Sequence, residues 1–585
     1  MTETTFIKGK DRDLESSITS MQAKLKSFGF DVEEASWLNP VSNVYSVHIR
    51  DKSCPLMFTN GKGSSEKACL ASALGEYFER LSCNYFFADF YLGEQHSNSE
   101  FVHYPDERWF DMAGDEMPEG LMDESLWQYF DPDGELTPDM LFDTNSGDGQ
   151  RGICAVPYQR LRDGAVRYIP VNVIGNIYVS NGMSAGNTQN EARVQGLSEV
   201  FERYVKNKII AEAICLPEVP NPVLNRYPKI QQALQELRDH GYHLRVADAS
   251  LGGQFPVMSV TLINPKDGSV FASFGAHPSF EVALERTVTE LLQGRGLDQL
   301  DVFHPPTFDL DEVASPANLE MHFIDSSGYI SNDFFRETAD YDFADWDFDN
   351  ATADEFKFLT DKIHDLGFEI YIADYNHLDV YACRILVPGM SDIYPVDELV
   401  WENNNEGALF REDFLALKDG DVSQWEDILD RLDEGGYNDQ TPVAPFIGLA
   451  PDPGTLWADI RLGELKAMLY LALEDEEAID WIDWCLALDQ ASDETILHYR
   501  CLKALLEIKW DDERDYAQYA KGLALMYGQQ NVDDGIAIVE GEKRFHNLHC
   551  PGLSLQGFER HNALLAGYEK LQQAKRQNWG GANRS

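Results

Sequence analysis

Two stretches in the first half of the chain carry glutamates where a helix would bring them together. Gly75-Glu76-Tyr77-Phe78-Glu79-Arg80 recurs as Ser198-Glu199-Val200-Phe201-Glu202-Arg203, a displacement of 123 residues. Residues three and four apart share a helix face, so Glu76, Glu79 and Arg80 project together, as do Glu199, Glu202 and Arg203. Glu191 lies two turns before Glu199 on the same face. A third helical stretch places Ala283, Arg286, Glu290 and Gln293 at spacings of three, four and three. If these helices converge, six carboxylates and three guanidinium groups line one cavity. Six carboxylates cannot all ionise side by side in a poorly hydrated cleft without compensation. Arginines offset part of the charge, and the donor set, all hard oxygen with no His or Cys, suits Mg²⁺ better than zinc. A redox di-metal carboxylate site would use Glu-x-x-His, and here arginines follow the glutamates instead. One E-x-x-E-R reads first as a solvated face with an i,i+4 ion pair. A second copy argues for a built site, because charge alone does not require a Phe to recur between the glutamates. At the same displacement Gly61-Lys62-Gly63 falls on Ser184-Ala185-Gly186, so each helix is expected to follow a short Gly-containing loop.

The elements that must position these residues alternate up to about residue 400. Stretches 44–49, 168–173, 255–262, 368–373 and 380–387 read as strands. Stretches 14–28, 66–85, 190–214, 230–240 and 280–294 read as helices. Residues 309–354 are acidic and irregular and read as a surface excursion, and 407–454 as a helical connector. From about Gly454 the pattern is wholly helical, in 462–473, 478–488, 497–508, 516–527 and 561–575. The first and third of these start 35 residues apart, near the 34-residue tetratricopeptide step. The expectation is an α/β (α+β) domain over 1–440 with an internal pseudo-repeat, then an all-α, TPR-like domain over 441–585.

Composition narrows the function further. With 585 residues there is chain for about four domains, or one large domain and a smaller one. Lys and Arg total 47 against 100 Asp and Glu, a net charge of −53. Spread over a folded surface on the order of 20,000 Å², that charge repels phosphate backbones and anionic headgroups, which argues against nucleic-acid and membrane-surface binding. Nine thinly spread cysteines without a CxxC pair, no signal-peptide pattern and no long apolar run point to free thiols in a reducing cytoplasm. Cys69 and Cys83 read as packing residues. His277-Pro278 reads as a helix cap, and Asp248–Gly253 and Val387–Met390 as turns beside strands.

Gly61-Lys62-Gly63 with Ser72-x-x-x-Glu76-x-x-Glu79-Arg80, then Ser184-Ala185-Gly186-Asn187 through Glu191 to Glu199-x-x-Glu202-Arg203, then Ala283-Leu284-x-Arg286-x-x-x-Glu290-x-x-Gln293, resemble the three ATP-binding segments of the YcaO family. The likeness is to its stand-alone enterobacterial type with a helical C-terminal extension. It implies a non-P-loop ATP site, in keeping with the lack of G-x-x-x-x-G-K-[ST], with ATP and Mg²⁺ as cofactors. Glu76, Glu79, Glu191, Glu199, Glu202 and Glu290 would be the metal set. Ser184, Asn187 and Arg286 would contact phosphates or nucleotide, with Lys10 and Ser17 reaching it from the N-terminus. Arg80 and Arg203 would brace the glutamates, and Glu199, Glu202, Arg286 and Glu290 would carry catalysis. The implied chemistry is ATP-dependent activation of a backbone amide of a peptide or protein. The closing residues Asn578–Ser585 lack the Pro-rich tail of peptide-cyclising members, which turns the expectation from azoline formation toward a helper of a RimO-type methylthiotransferase acting on a small-subunit ribosomal protein. A homodimer is implied as well. The alternative is a non-catalytic acidic adaptor working through its helical C-terminal part.

Overall fold

The computed structural model describes residues 4–582 apart from 113, 115, 147–150, 301–302 and 489–491. Helix α1 (Leu14–Ser27) precedes β1 (Val32–Val41), β2 (Val44–Asp51) and β3 (Phe58–Gly63), an antiparallel sheet in that order, and α2 (Glu66–Ser82). Strands β4 (Arg108–Phe110), β5 (Ile153–Arg160), β6 (Val166–Pro170) and β7 (Met183–Gly186) lead to α3 (Gln189–Ala211). Then come β8 (His243–Asp248), β9 (Val257–Ile263), β10 (Val270–Ala276) and α4 (Phe280–Leu291), followed by β11 (Tyr371–Tyr375) and β12 (Tyr381–Leu386). The second three-stranded sheet has order β10-β9-β8. The largest sheet runs β4-β5-β11-β12-β7, with β6 on β5.

The segments expected as Gly-containing loops are strand ends. Gly61-Lys62-Gly63 closes β3 and Ser184-Ala185-Gly186 closes β7. Each strand runs tight against the helix that follows it. A Cβ on Gly63 would stand 2.6 Å from the Cys69 amide nitrogen, and one on Gly186 2.7 Å from that of Ala192, the same place 123 residues on. Ser65 and Thr188 cap their helices alike, their side chains accepting from the Ala68 and Glu191 N–H groups. A third copy, displaced by 214 residues from the first, is β10–α4. A Cβ on Gly275 would stand 2.8 Å from the Ala283 carbonyl and 2.6 Å from the Thr287 nitrogen, as one on Gly61 would meet the Cys69 carbonyl at 2.3 Å and the Ala73 nitrogen at 2.7 Å. Glu290 and Gln293 therefore stand where Glu76 and Glu79 stand in the first unit. Phe78 and Phe201 are fully buried, as anchors of the glutamate faces should be.

The strand expected over 168–173 ends at Pro170, and the chain turns helical from Val171. The acidic excursion contains short helices, among them Pro316–Ile324. In the C-terminal part Leu462–Leu473 and Tyr516–Tyr527 match the expected helices, but the third begins at Asp493, behind its Ser492 cap. The step is thus 31 residues, not 35. The last helix, Glu559–Ala582, bridges the two parts, with Leu565 packed against the cluster of Leu462, Leu465 and Leu469. Its Leu564, Tyr568 and Leu571 join one apolar cluster with Met21, Leu25, Tyr77 and Phe78, on the apolar face of α2. The Tyr568 hydroxyl and Gln572 amide both donate to the Val102 carbonyl at 2.6 Å, and Lys575 to that of His103 at 2.7 Å. No described helix is long and apolar enough to cross a membrane. All nine cysteines are free.

Gly186→Ala forces its new methyl group into the α3 backbone and should lower stability by about 1–3 kcal/mol. Gly75→Ala, mid-helix with nothing within 4 Å of the added carbon, should raise it by up to about 1 kcal/mol. Thermal unfolding of the two variants checks both signs.

Candidate active site

The three strand–helix units close around one cleft of about 970 Å³. Glu76, Glu79 and Arg80 from α2, Glu191, Glu199, Glu202 and Arg203 from α3, and Arg286 and Glu290 from α4 all line it, with Lys10, Ser17 and Asn187. Polar links bind each unit to the next. Lys62 of β3 pairs with Glu290, and the Gln293 amide donates to the Asn60 carbonyl at 2.5 Å. Arg286 Nη1 donates to Gln195 Oε1 at 2.5 Å, and the Ala276 N–H to Glu202 Oε2 at 3.2 Å.

Each carboxylate has a cation or a hydrogen-bond donor beside it. Arg80 lies 3.2 Å from Glu76 and 3.7 Å from Glu79, and Arg203 lies 2.5 Å from Glu199. The rings of Tyr85 and Phe323 back the two guanidinium planes at 4.4 and 4.7 Å. Glu191, buried, takes Lys10 at 3.3 Å, the Asp11 N–H at 2.9 Å and the Asn187 amide at 3.0 Å. Ser17 donates to Asn187 Oδ1 at 2.8 Å, which turns that amide toward Glu191. Burial, and then the repulsion of Glu199 and Glu76, push the Glu79 carboxyl far above its usual range against the pull of Arg80 and Arg203. Burial likewise raises Glu199, opposed by Arg203. Burial lowers Lys62 to about 8, helped by Arg286 and opposed by Glu202, Glu76 and Glu199. His277 is held neutral, down to about 3, by burial and by Arg286 and Lys10. Its Nδ1 accepts from the Ser279 N–H, which leaves the proton on Nε2, against Gly9.

Of the residues expected here, Ser184 alone does not reach the cleft. It is fully buried, and its hydroxyl donates to the Ala192 carbonyl at 2.6 Å, fastening β7 to α3. Gly61 is its counterpart in the first unit, so this position serves strand–helix packing. Lys62 stood within the repeat with no role assigned; its signal was a lone cation between two glycines beside an acidic helix. Lys206, lowered to about 8 by burial, lines the cleft and ties down the excursion through the His322 carbonyl at 2.5 Å. Nothing local in the sequence announces that contact.

The donor set fits a hard cation: glutamate oxygens only, facing one space, with Arg80 Nη1 and Arg286 Nε buried and unpartnered beside them as if awaiting an anion. Among the described residues the one trio of His, Cys, Asp or Glu ligand atoms within 4.8 Å of one another lies elsewhere: His103, Asp143 and Cys154. There His103 Nε2 meets Asp143 at 2.8 Å and Nδ1 faces the Asn84 amide at 3.2 Å, so both ring nitrogens are engaged.

Residues 60–391 match the family model described as YcaO cyclodehydratase, ATP- and Mg²⁺-binding, and residues 407–577 match that of the YcaO cyclodehydratase C-terminal domain. The chain belongs to the YcaO family. ATP and Mg²⁺ are the cofactors of that family's domain. A YcaO relative in Escherichia coli, described as ribosomal protein S12 methylthiotransferase accessory factor, is 55% identical over 98% of this chain and 99% of its own. A Haemophilus influenzae protein described as uncharacterized is 56% identical over 99% of this chain and all of its own. Among solved structures, a heterocyclase in complex with substrate and cofactor aligns with 68% of this chain and 56% of its own, at 18% identity and a TM-score of 0.43. YcaO from Methanopyrus kandleri bound with AMPPCP and Mg²⁺ aligns with 67% of this chain and 95% of its own, at 17% identity and a TM-score of 0.40.

Removing Lys62 leaves Glu290 and its neighbours short of one cation. Lys62→Met should lose about 1–3 kcal/mol of stability in EDTA, and the loss should shrink when millimolar magnesium is added. Melting temperatures under the two conditions decide it, and an equal loss in both would exclude Lys62 as the standing counter-ion of the glutamates.

Proposed function

We propose that this protein is an Mg·ATP-dependent enzyme that activates the oxygen of a backbone amide or related carbonyl. The observation that supports it most is the aim of three equivalent strand–helix units: each delivers acidic side chains to one cleft, braced by Arg80 and Arg203 in the first two and met by Lys62 in the third. Glu76, Glu79, Glu191, Glu199, Glu202 and Glu290 would hold magnesium. Asn187, Ser17, Lys10 and Arg286 would meet the nucleotide. Ser184 would act only by holding β7 on α3. Bound Mg·ATP would supply the phosphoryl group and neutralise the charge that develops on it. The chain's own work is positioning and charge balance. Arg80 and Arg203 hold the glutamates, and the unpaired N–H groups of Arg80 and Arg286 offer donors where negative charge would build. The carbonyl oxygen of the substrate, once a nucleophile has added to its carbon, would accept the phosphoryl group and leave as phosphate. Likeness over nearly the whole chain to the Escherichia coli accessory factor favours a ribosomal small-subunit protein as the substrate and a methylthiotransferase as the working partner.

Calorimetry with Mg·ATP should show binding to the intact protein. Glu199→Ala and Glu202→Ala should each weaken it more than about tenfold and abolish phosphate release. Unchanged binding and turnover in both variants would end this reading.

The pH dependence has a definite sign. Glu79 and Glu199 have raised carboxyl pKa values, so they keep protons at pH values where an ordinary glutamate has lost them, and magnesium must expel those protons. Magnesium affinity should therefore be weaker at about pH 6 than at about pH 8, with protons released on binding at the lower pH. Titration calorimetry in buffers of different ionisation enthalpy measures that release.

A further inference from the structure

The two copies of the bracing arginine are not held alike. Arg203 Nη1 meets two acceptors, Glu199 Oε1 at 2.5 Å and Asn181 Oδ1 at 3.0 Å. Arg80, its counterpart, has Glu76 and Glu79 but no amide, and its Nη1 is buried without a partner. The residue 123 positions before Asn181 is Phe58, which has no acceptor to offer. Asn181 is 1% exposed and stands just before β7, behind the cleft wall. Its orientation is fixed from the other side, because its Nδ2 donates to the Ser391 carbonyl at 2.6 Å. Turning the amide over would set its NH₂ against the guanidinium and its oxygen against a carbonyl, two clashes of like polarity. Ser391 is itself pinned. Its N–H donates to the Val387 carbonyl at 2.8 Å, and its hydroxyl accepts from the Val387 N–H at 2.7 Å. The turn after β12 thus reaches Glu199 through two side chains.

We propose that Asn181 is a positioning residue for the second glutamate pair. By taking an N–H of Arg203 Nη1 it fixes the orientation of a guanidinium that already lies against Glu199 Oε1, and so leaves the other oxygen of this carboxylate to the cleft. The inference rests on the Mg·ATP reading above. Without Asn181 that N–H is released, the guanidinium is free to turn onto both oxygens of Glu199, and the two-point pair competes with a cation for the same carboxylate.

A double-mutant cycle read by Mg·ATP calorimetry tests this. Asn181→Ala should weaken binding by about tenfold. In an Arg203→Ala background the same change should have no further effect, since the group it acts through is gone. Asn181→Leu keeps about the same bulk without the acceptor and should lose binding as the alanine variant does, which separates the lost hydrogen bond from a cavity. Circular dichroism and melting curves verify that each variant is folded, and Asn181→Leu carries the test if the alanine variant is not. Parent-like affinity in Asn181→Ala or in Asn181→Leu, or an equal loss in both backgrounds, would each overturn the proposal. A parent protein with no Mg·ATP affinity would remove the Mg·ATP reading itself, and this proposal with it.

Discussion

Packing six carboxylates into one cleft sets the terms for everything around it. Each must find a cation or shed its charge, and the chain supplies five cations from separate elements: Lys10, Lys62, Arg80, Arg203 and Arg286. Because Lys62 of β3 reaches Glu290 of α4, and Lys10 of the N-terminal segment reaches Glu191 of α3, satisfying these glutamates also fastens separate elements to one another. The charge balance of the site and the mutual arrangement of the units are one problem with one solution. Outside the cleft the net charge of −53 would repel a polyanionic nucleotide. Lys8, Arg12, Lys24, Lys229 and Arg295 line the same space as the glutamates and offset the acidic charge there.

Close packing of strand on helix explains why small residues recur where they do. At Gly61, Gly63, Gly186 and Gly275 an added carbon would stand within 3 Å of the backbone of the following helix. The three helices are brought near enough to share a cleft because their own strands lie flush beneath them. A glycine that looks like an approach to phosphate is, in this fold, an approach to peptide.

Much of the site could be read from the chain because it is written in local spacing. Glutamates three apart on a helix, a Phe between them and an arginine after them define a face before any tertiary contact is known. The helices α1, α2, α3 and α4 carry enough periodicity to be found. The strands were harder. All seven residues of β10 are buried, so it shows no alternation, while β1 is largely exposed and lacks an apolar stripe. The repeat was legible twice, where E-x-F-E-R is intact, and hidden the third time, where Gln293 takes the second glutamate's place and only Gly275 preserves the packing signature. Ser184 misled because a hydroxyl between glycine-rich neighbours invites a phosphate, whereas the Ala192 carbonyl near the start of the following helix claims it. Asn181, Lys206 and the last helix depend on partners more than a hundred residues off or on a register no local pattern encodes.

That last helix carries a consequence for how the molecule comes into being. Met21, Leu25 and Tyr77 are made long before Leu564, Tyr568 and Leu571, which complete their cluster. The first glutamate helix therefore waits through the synthesis of everything between them with an oily flank uncovered, at the stage when nascent chains are most prone to stick to one another. A chain interrupted anywhere in that interval carries an acidic helix whose apolar face lacks its cover.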